Sequence, residues 1–307
     1  MSTAELSAPA GRAAILGLVA VVAAYVGWGV SPLYWKHLVH VDAVETLAQR
    51  YLWTLPFTAL AVTTMRLWGD VRRLIGGPRR NVGLLCLSAT ALALNSGTYI
   101  WAVNHDRVIE ASLGYFLTPL LTVLFGLLVF GERLRVWQWA AVALALAGVV
   151  NQIVAHGVFP WVGLLVGGSF ATYAGVRKMV PAGAIAGFFV ETAVIAPVAA
   201  IYLTVLAQSD GTAFGHVDRL TDMLLIGGGV VTAVPLLAYA IGGRGQTLST
   251  LGLLFYINPT CQFLVGVIVI GEPVTVEQAL SFALIWAGLA IYTAEGRYRT
   301  RRIAPVS

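Results

Sequence analysis

Two charges lie where charge is costly. Arg50 and Glu191 each fall inside a long apolar run, and an ionisable side chain within hydrocarbon must face a cavity or a partner. Arg50 is six residues past Val44, about 9 Å in at a rise of about 1.5 Å per residue. Glu191 is eight residues past Gly183, about 12 Å in from the opposite side. In a core about 30 Å thick, roughly 9 Å of depth separates them. Two readings follow. In one, Arg50 receives an anionic group of a substrate and Glu191 binds a cation or proton. In the other, the two belong to a structural ion pair or polar network that ties helices together. Glu45 stands five residues before Arg50, a poor spacing for a helical pair.

Aromatic side chains accompany these charges. Tyr25 and Trp28 share a helix face at i,i+3, and Asn95 and Tyr99 at i,i+4. Trp53, Tyr115, Tyr173, Tyr239 and Tyr256 also lie within apolar runs rather than at their ends. Interior Tyr and Trp need a partner for the OH or NH. They line a cavity for a ring-bearing or amphipathic molecule, or they pack. Trp35 and Trp161, at run ends, suit an interfacial belt. Four prolines fall mid-run, Pro56, Pro119, Pro197 and Pro259. Each frees a backbone carbonyl and bends its helix, which gives a hinge, a cavity-facing carbonyl or a static kink.

Catalytic and cofactor chemistry finds no footing. The five histidines show no metal-pair spacing. Gly227-Gly228-Gly229 lacks the lysine of a phosphate loop and suits close helix packing. Gly163 and Gly167, and Gly183 and Gly187, have the small-xxx-small spacing. Cys86 and Cys261 read as small buried hydrophobes. No enzyme activity, cofactor or metal is expected.

The elements that hold these residues follow from composition. Of 307 residues 58% are hydrophobic and 11% charged, and mean hydropathy is +0.82. A soluble domain carries about 25% charge, so the main solvent here is lipid. A spanning helix needs about 20 mostly apolar residues. Ten runs qualify: Ala14 to Trp35, Val44 to Met65, Val82 to Val103, Ile109 to Phe130, Val136 to Val154, Phe159 to Val176, Gly183 to Leu206, Met223 to Ile241, Ser249 to Ile270, and Val274 to Ala294. The first lacks a signal-peptide cleavage pattern and is expected to be retained. The fold class is all-α integral membrane, with short connections.

Lys and Arg concentrate on one side of this arrangement. Fifteen of the 19 fall there, Arg177 and Lys178 among them, against Lys36, Arg107 and Arg219 opposite. By the positive-inside rule both termini are cytoplasmic, with tails at 1–13 and 296–307. The net charge of +5 thereby becomes an orientation signal, and no nucleic-acid partner is expected. Arg297 to Arg302 read as an anchor touching anionic lipid.

An internal repeat divides the chain. Pro119, Gly126, Gly131, Glu132, Val136, Gln138 and Gly148 match Pro259, Gly266, Gly271, Glu272, Val276, Gln278 and Gly288 at an offset of 140. Tyr99 matches Tyr239 at 140, Leu113-Gly114 match Leu251-Gly252 at 138, and Pro56 matches Pro197 at 141. Val44-Glu45-Thr46 match Val190-Glu191-Thr192 at 146. The halves are 14–155 and 159–295. Five spans per half is odd, so the second half is inverted. Inverted repeats recur in secondary transporters, with the site near the midplane between halves.

Tyr25-x-x-Trp28-Gly29-x-x-Pro32-Leu33-Tyr34-x-Lys36 resembles the opening of the RarD group of EamA-type transporters, in the drug/metabolite transporter superfamily. So do Glu45-x-x-Ala48-x-Arg50-x-x-Trp53, Tyr99-Ile100-Trp101-Ala102-Val103-Asn104 and Glu110-Ala111-Ser112-Leu113-Gly114-Tyr115-Phe116. Leu248-Ser249-Thr250-Leu251-Gly252 and Tyr256-Ile257-x-Pro259-Thr260 extend the likeness into the second half. Gln49 stands where that pattern usually has His, and Ser96 where it usually has Trp. The resemblance implies ten helices in two inverted repeats, an inner-membrane location, and export of small metabolites or drugs by alternating access. An uncoupled channel and a membrane-embedded lipid-modifying enzyme are the alternatives. The partners expected are a small-molecule substrate and membrane lipid, with a homodimer left open.

Overall fold

The computed structural model describes residues 8–104, 108–157, 159, 161–209, 211–271 and 274–303. Every regular element among them is helical. The first half holds α1 (Ala8–Val30), the short α2 (Pro32–Trp35), α3 (Ala43–Thr64), α4 (Trp68–Ile75), α5 (Arg79–Asn104), α6 (Val108–Phe130) and α7 (Val136–His156). The second holds α8 (Trp161–Met179), α9 (Ala184–Ser209), α10 (Arg219–Gly242), α11 (Leu248–Phe255), α12 (Ile257–Leu264) and α13 (Val276–Ile303). Glu272 and the His105–Arg107 stretch lie outside the described residues.

Among the described residues, eight segments are long and apolar enough to cross a membrane. The remaining long helices, α3 and α8, fall outside that set; α3 carries Glu45 and Arg50, and α8 ends on Arg177 and Lys178. The outer surface is apolar, with Ile15, Leu128, Val136, Val154 and Ile268 all exposed. Such a surface is at home in hydrocarbon rather than water. The tails expected at both ends are partly helical: α1 begins at Ala8 and α13 runs on to Ile303.

Helix ends follow local chemistry. Asp42 caps α3 by accepting from the backbone N–H of Val44 and Glu45 at 2.9 and 3.0 Å. Asp218 caps α10 through Thr221 N at 2.7 Å. The one element the apolar runs did not announce is α4. It is short and amphipathic, and it buries Val71 and Leu74 while Trp68 packs edge-on to Phe189.

The four repeat-matched prolines behave differently from one another. Helices α3, α6 and α9 pass through Pro56, Pro119 and Pro197 without a break. The segment around Pro259 does break, at Tyr256, into α11 and α12. A proline ring displaces the carbonyl four residues earlier, here that of Phe255, next to the break. A fifth proline, Pro235, sits inside α10.

The packing order places the core. Helix α8 lies against α5 and α6, and α1 against α10 and α12. Helix α3 lies against α9 and α10, and α9 also against α5. Helix α6 crosses α11, and α7 crosses α13. Gly229 lets α10 close on α3, since a Cβ there would stand 2.6 Å from the Trp53 carbonyl carbon. The glycine run is therefore a packing face, as its apolar setting suggests.

Candidate functional site

Helices α3, α5, α9 and α10 meet around a cavity of about 10 Å³, the room of about one water molecule. Tyr51 and Thr54 line it from α3, Leu92 from α5, Phe188, Glu191, Thr192 and Ile195 from α9, and Thr232 and Leu236 from α10. Glu191 is 1% exposed. Its Oε1 accepts from Ser88 Oγ and lies 3.5 Å from Arg177 Nε. Among the described residues its Oε2 has no hydrogen-bond partner, nor does the hydroxyl of Tyr173 within its field.

Arg177 corrects the orientation tally. Counted as a surface basic residue, it is 7% exposed. Its Nη2 donates to the carbonyls of Gly183 and Ala184 at 3.3 and 2.9 Å. The slot that admits it is Gly187, where a Cβ would lie 2.4 Å from Nη2. The Gly183-xxx-Gly187 spacing thus serves a side chain rather than a helix–helix contact. A buried carboxylate needs a cation or must neutralise, and Arg177 is that cation. Nothing in the sequence spacing separates it from Lys178 beside it; only the fold does.

Arg50 is elsewhere. Its Nη2 donates to Ser96 Oγ at 3.1 Å, and its guanidinium carbon lies 5.7 Å from the Trp35 ring centre and 5.4 Å from that of Tyr51. Trp35 therefore stacks on a cation instead of marking only an interface. Tyr51 also donates to Ser96 Oγ at 3.1 Å and lines the Glu191 cavity. Tyr51 thus touches both sites, hydrogen-bonded to the serine that holds Arg50 and lining the cavity beside Glu191. Tyr115 lies within reach of the Arg50 charge and packs edge-on to Tyr99 at 5.7 Å.

Other candidates fall into separate groups. Tyr25, Trp28 and Tyr239 come together at 5.8 to 6.0 Å between ring centres, with Phe170, Tyr173 and Phe255 around them. This aromatic core adjoins the cavity through Phe188 and Leu236. Tyr25 donates to the Leu251 carbonyl at 2.9 Å. Asn95 ties α5 to α8 by donating to the Val166 carbonyl at 2.7 Å. Trp53 donates to Gln49 Oε1 at 3.1 Å and packs on Phe214. Tyr256 stands apart, donating to the Phe116 carbonyl at 3.1 Å in a cluster with Ala145 and Ile285. Gln49 and Ser96, the two departures from the expected pattern, thus each hold a candidate residue in place.

The two anchors Arg50 and Glu191 share a register. Each precedes its repeat-matched proline by six residues, Pro56 and Pro197 respectively. Helices α3 and α9 run unbroken through these positions. There is no room for the offset to drift from 146 to 141 inside them, so the match of Val44-Glu45-Thr46 to Val190-Glu191-Thr192 gives way to the proline register.

Toward one end of the bundle Glu132 ties three elements. Its Oε1 accepts from Leu248 N at 2.7 Å and lies 3.4 Å from Lys178 Nζ. Its Oε2 accepts from Ser249 N and Oγ at 2.8 and 2.6 Å. Partial burial pushes this carboxyl up, but the Ser249 and Leu248 hydrogen bonds and Lys178 outweigh it and hold it below the usual range.

The bundle of apolar, membrane-length helices defines a multi-pass membrane protein, and residues 15–151 match the EamA-like transporter family. The chain belongs to that family, within its RarD group. It is 39% identical to Protein RarD of Escherichia coli (strain K12), covering 93% of this chain and 96% of that one. It is 40% identical to Protein RarD of Streptomyces exfoliatus, covering 93% and 90%. A Chloramphenicol-sensitive protein RarD of Pseudomonas aeruginosa is 33% identical, covering 90% and 92%. One solved crystal structure shares the fold, with a TM-score of 0.69 at 21% identity over 94% of this chain and 98% of that one. The family and relatives are transporters rather than enzymes, and the chain is a multi-pass membrane protein of the drug/metabolite class.

Proposed function

We propose that the protein is a secondary transporter exporting a small organic metabolite or drug by alternating access. In this reading ten helices form two inverted five-helix repeats, 14–155 and 159–295, in the bacterial inner membrane with both termini cytoplasmic. The observation that carries it is the symmetry of the cavity. Its lining residues pair across the halves: Tyr51 with Thr192 and Thr54 with Ile195 at an offset of 141, and Leu92 with Thr232 at 140.

The helix packing supports the same axis. Exchanging α1 with α8, α3 with α9, α5 with α10, α6 with α11–α12 and α7 with α13 turns α5–α8 into α10–α1. It turns α6–α8 into α12–α1, and α3–α10 into α9–α5, and it leaves α3–α9, α6–α11 and α7–α13 in place. Two like halves about one site give inward- and outward-open states of similar energy, the requirement of a carrier. Export and location rest on the family.

The test is an efflux screen of cells overproducing the protein, across amino acids, other metabolites and drugs. Chloramphenicol belongs in it because one relative's name carries that word. A hit is then taken to proteoliposomes preloaded with unlabelled compound. Transient overshoot of labelled compound is the carrier result. Simple equilibration without overshoot is the result of a channel.

A further inference from the structure

We infer that Arg50 anchors a binding site for the carboxylate of an apolar, ring-bearing molecule. The inference names a substrate class for the transporter reading above and rests on it.

Four buried or half-buried charges besides Arg50 lie in α3, α8 and α9, and each is already engaged: Lys178, for one, lies 3.4 Å from Glu132. Glu191 has Arg177. Glu45 accepts from the backbone N–H of Ala213 at 2.9 and 3.1 Å and of Phe214 at 3.3 Å. Among the cations of this set, Arg50 is the one with no carboxylate within ion-pair distance among the described residues; Glu45 is held by backbone N–H groups alone. Its contacts are one serine hydroxyl and two aromatic faces, and its Nε is buried without a partner.

A guanidinium in that state is incomplete. The rings of Trp35 and Tyr51 attract the cation through their faces but offer nothing in its plane, where its N–H groups point. An oxyanion arriving in that plane takes charge-assisted hydrogen bonds in the geometry arginine favours. One unneutralised arginine balances one negative charge. A monoanionic carboxylate leaves the site neutral, whereas a dianionic phosphate leaves an uncompensated charge in a low-dielectric span. The guanidinium already lies against the rings of Trp35 and Tyr51, and the edge-packed pair Tyr99 and Tyr115 stands within its field. They suit an apolar ring rather than a polar tail.

The experiment is equilibrium binding to the purified full-length protein in detergent, read by tryptophan fluorescence and by thermal stabilisation. The probes are 3-phenylpropionate, its neutral isostere 3-phenylpropionamide, and phenyl phosphate. The acid is expected to bind at least about tenfold more tightly than the amide, the scale of a charge-assisted hydrogen bond, and more tightly than phenyl phosphate. In Arg50→Gln the acid's advantage over the amide is expected to vanish. Equal binding of acid and amide by the unmodified protein overturns the site, and that comparison needs no variant. An acid preference kept by Arg50→Gln overturns it as well. Tighter binding of phenyl phosphate overturns the charge balance and with it the carboxylate. Because binding is read without a membrane gradient, counterflow without acid preference sinks only this inference, and acid preference without counterflow sinks only the carrier reading.

Discussion

Arg177 Nε lies 3.5 Å from Glu191 Oε1, so the buried carboxylate of α9 is paired with the last turn of α8 and not with Arg50 of α3. The pair sits beside the four-helix cavity, and its neutralisation lets a carboxylate persist there. It also leaves Arg50 with no carboxylate within ion-pair distance among the described residues.

Removing one partner of such a pair strands the other. Arg177→Gln is expected to lower stability by about 3–5 kcal/mol, measured as thermal unfolding of the purified protein. Adding Glu191→Gln to it should recover part of the loss. A double variant no more stable than the single would show that the carboxylate was not left stranded.

Gly187 holds the slot for that arginine. A Cβ there would meet Arg177 Nη2 at 2.4 Å, so Gly187→Ala should cost about 1–3 kcal/mol by overpacking. In the Arg177→Gln background the same change should cost less, since the obstructing group is gone. Equal costs in both backgrounds would mean that the glycine serves the backbone alone.

Glu132 joins α6, α8 and the start of α11, and its carboxyl is held below the usual range. A depressed folded-state value stabilises fully above the ordinary carboxylate range and is lost as pH falls through the folded value. Glu132→Gln should therefore lower thermal stability at neutral pH, by about 1–2 kcal/mol for a charged helix-end cap. The gap to the unmodified protein should close as pH drops below about 4. A gap independent of pH would remove the charge from the explanation.

The long helices were legible because an apolar run of spanning length has one stable outcome in lipid. Eight of the ten runs correspond to single long helices; the first divides at Ser31 into α1 and the short α2, and that from Ser249 breaks at Tyr256 beside Pro259. Helix α4 escaped because eight amphipathic residues leave no apolar run. Within the site, Arg50 and Glu191 declared themselves as charges inside hydrocarbon. Arg177 did not, because a basic pair in a last turn reads as a surface feature until α9 is packed over it. Trp35 likewise read as an end-of-run aromatic until α3 placed a guanidinium against it. Tyr256 was as interior in sequence as Tyr239, yet it stands at the break between α11 and α12 and reaches α6 rather than the cavity. Helix rotation and the opposing helix decide such cases, and neither is written in one run of sequence.

Alternating access requires the cavity beside Glu191 to open in turn to the two faces of the membrane. It is tested by labelling Ile195→Cys with a membrane-impermeant maleimide, in a background with Cys86 and Cys261 replaced by alanine. Right-side-out and inside-out vesicles expose opposite faces. A disulfide between Glu132→Cys and Ser249→Cys would lock the end of the bundle they occupy. Labelling is expected from both faces in the unlocked protein. After locking, it should be lost from the Glu132 face and retained or raised from the other. Labelling from a single face before locking, or undiminished labelling from the Glu132 face after it, would contradict alternating access at this site.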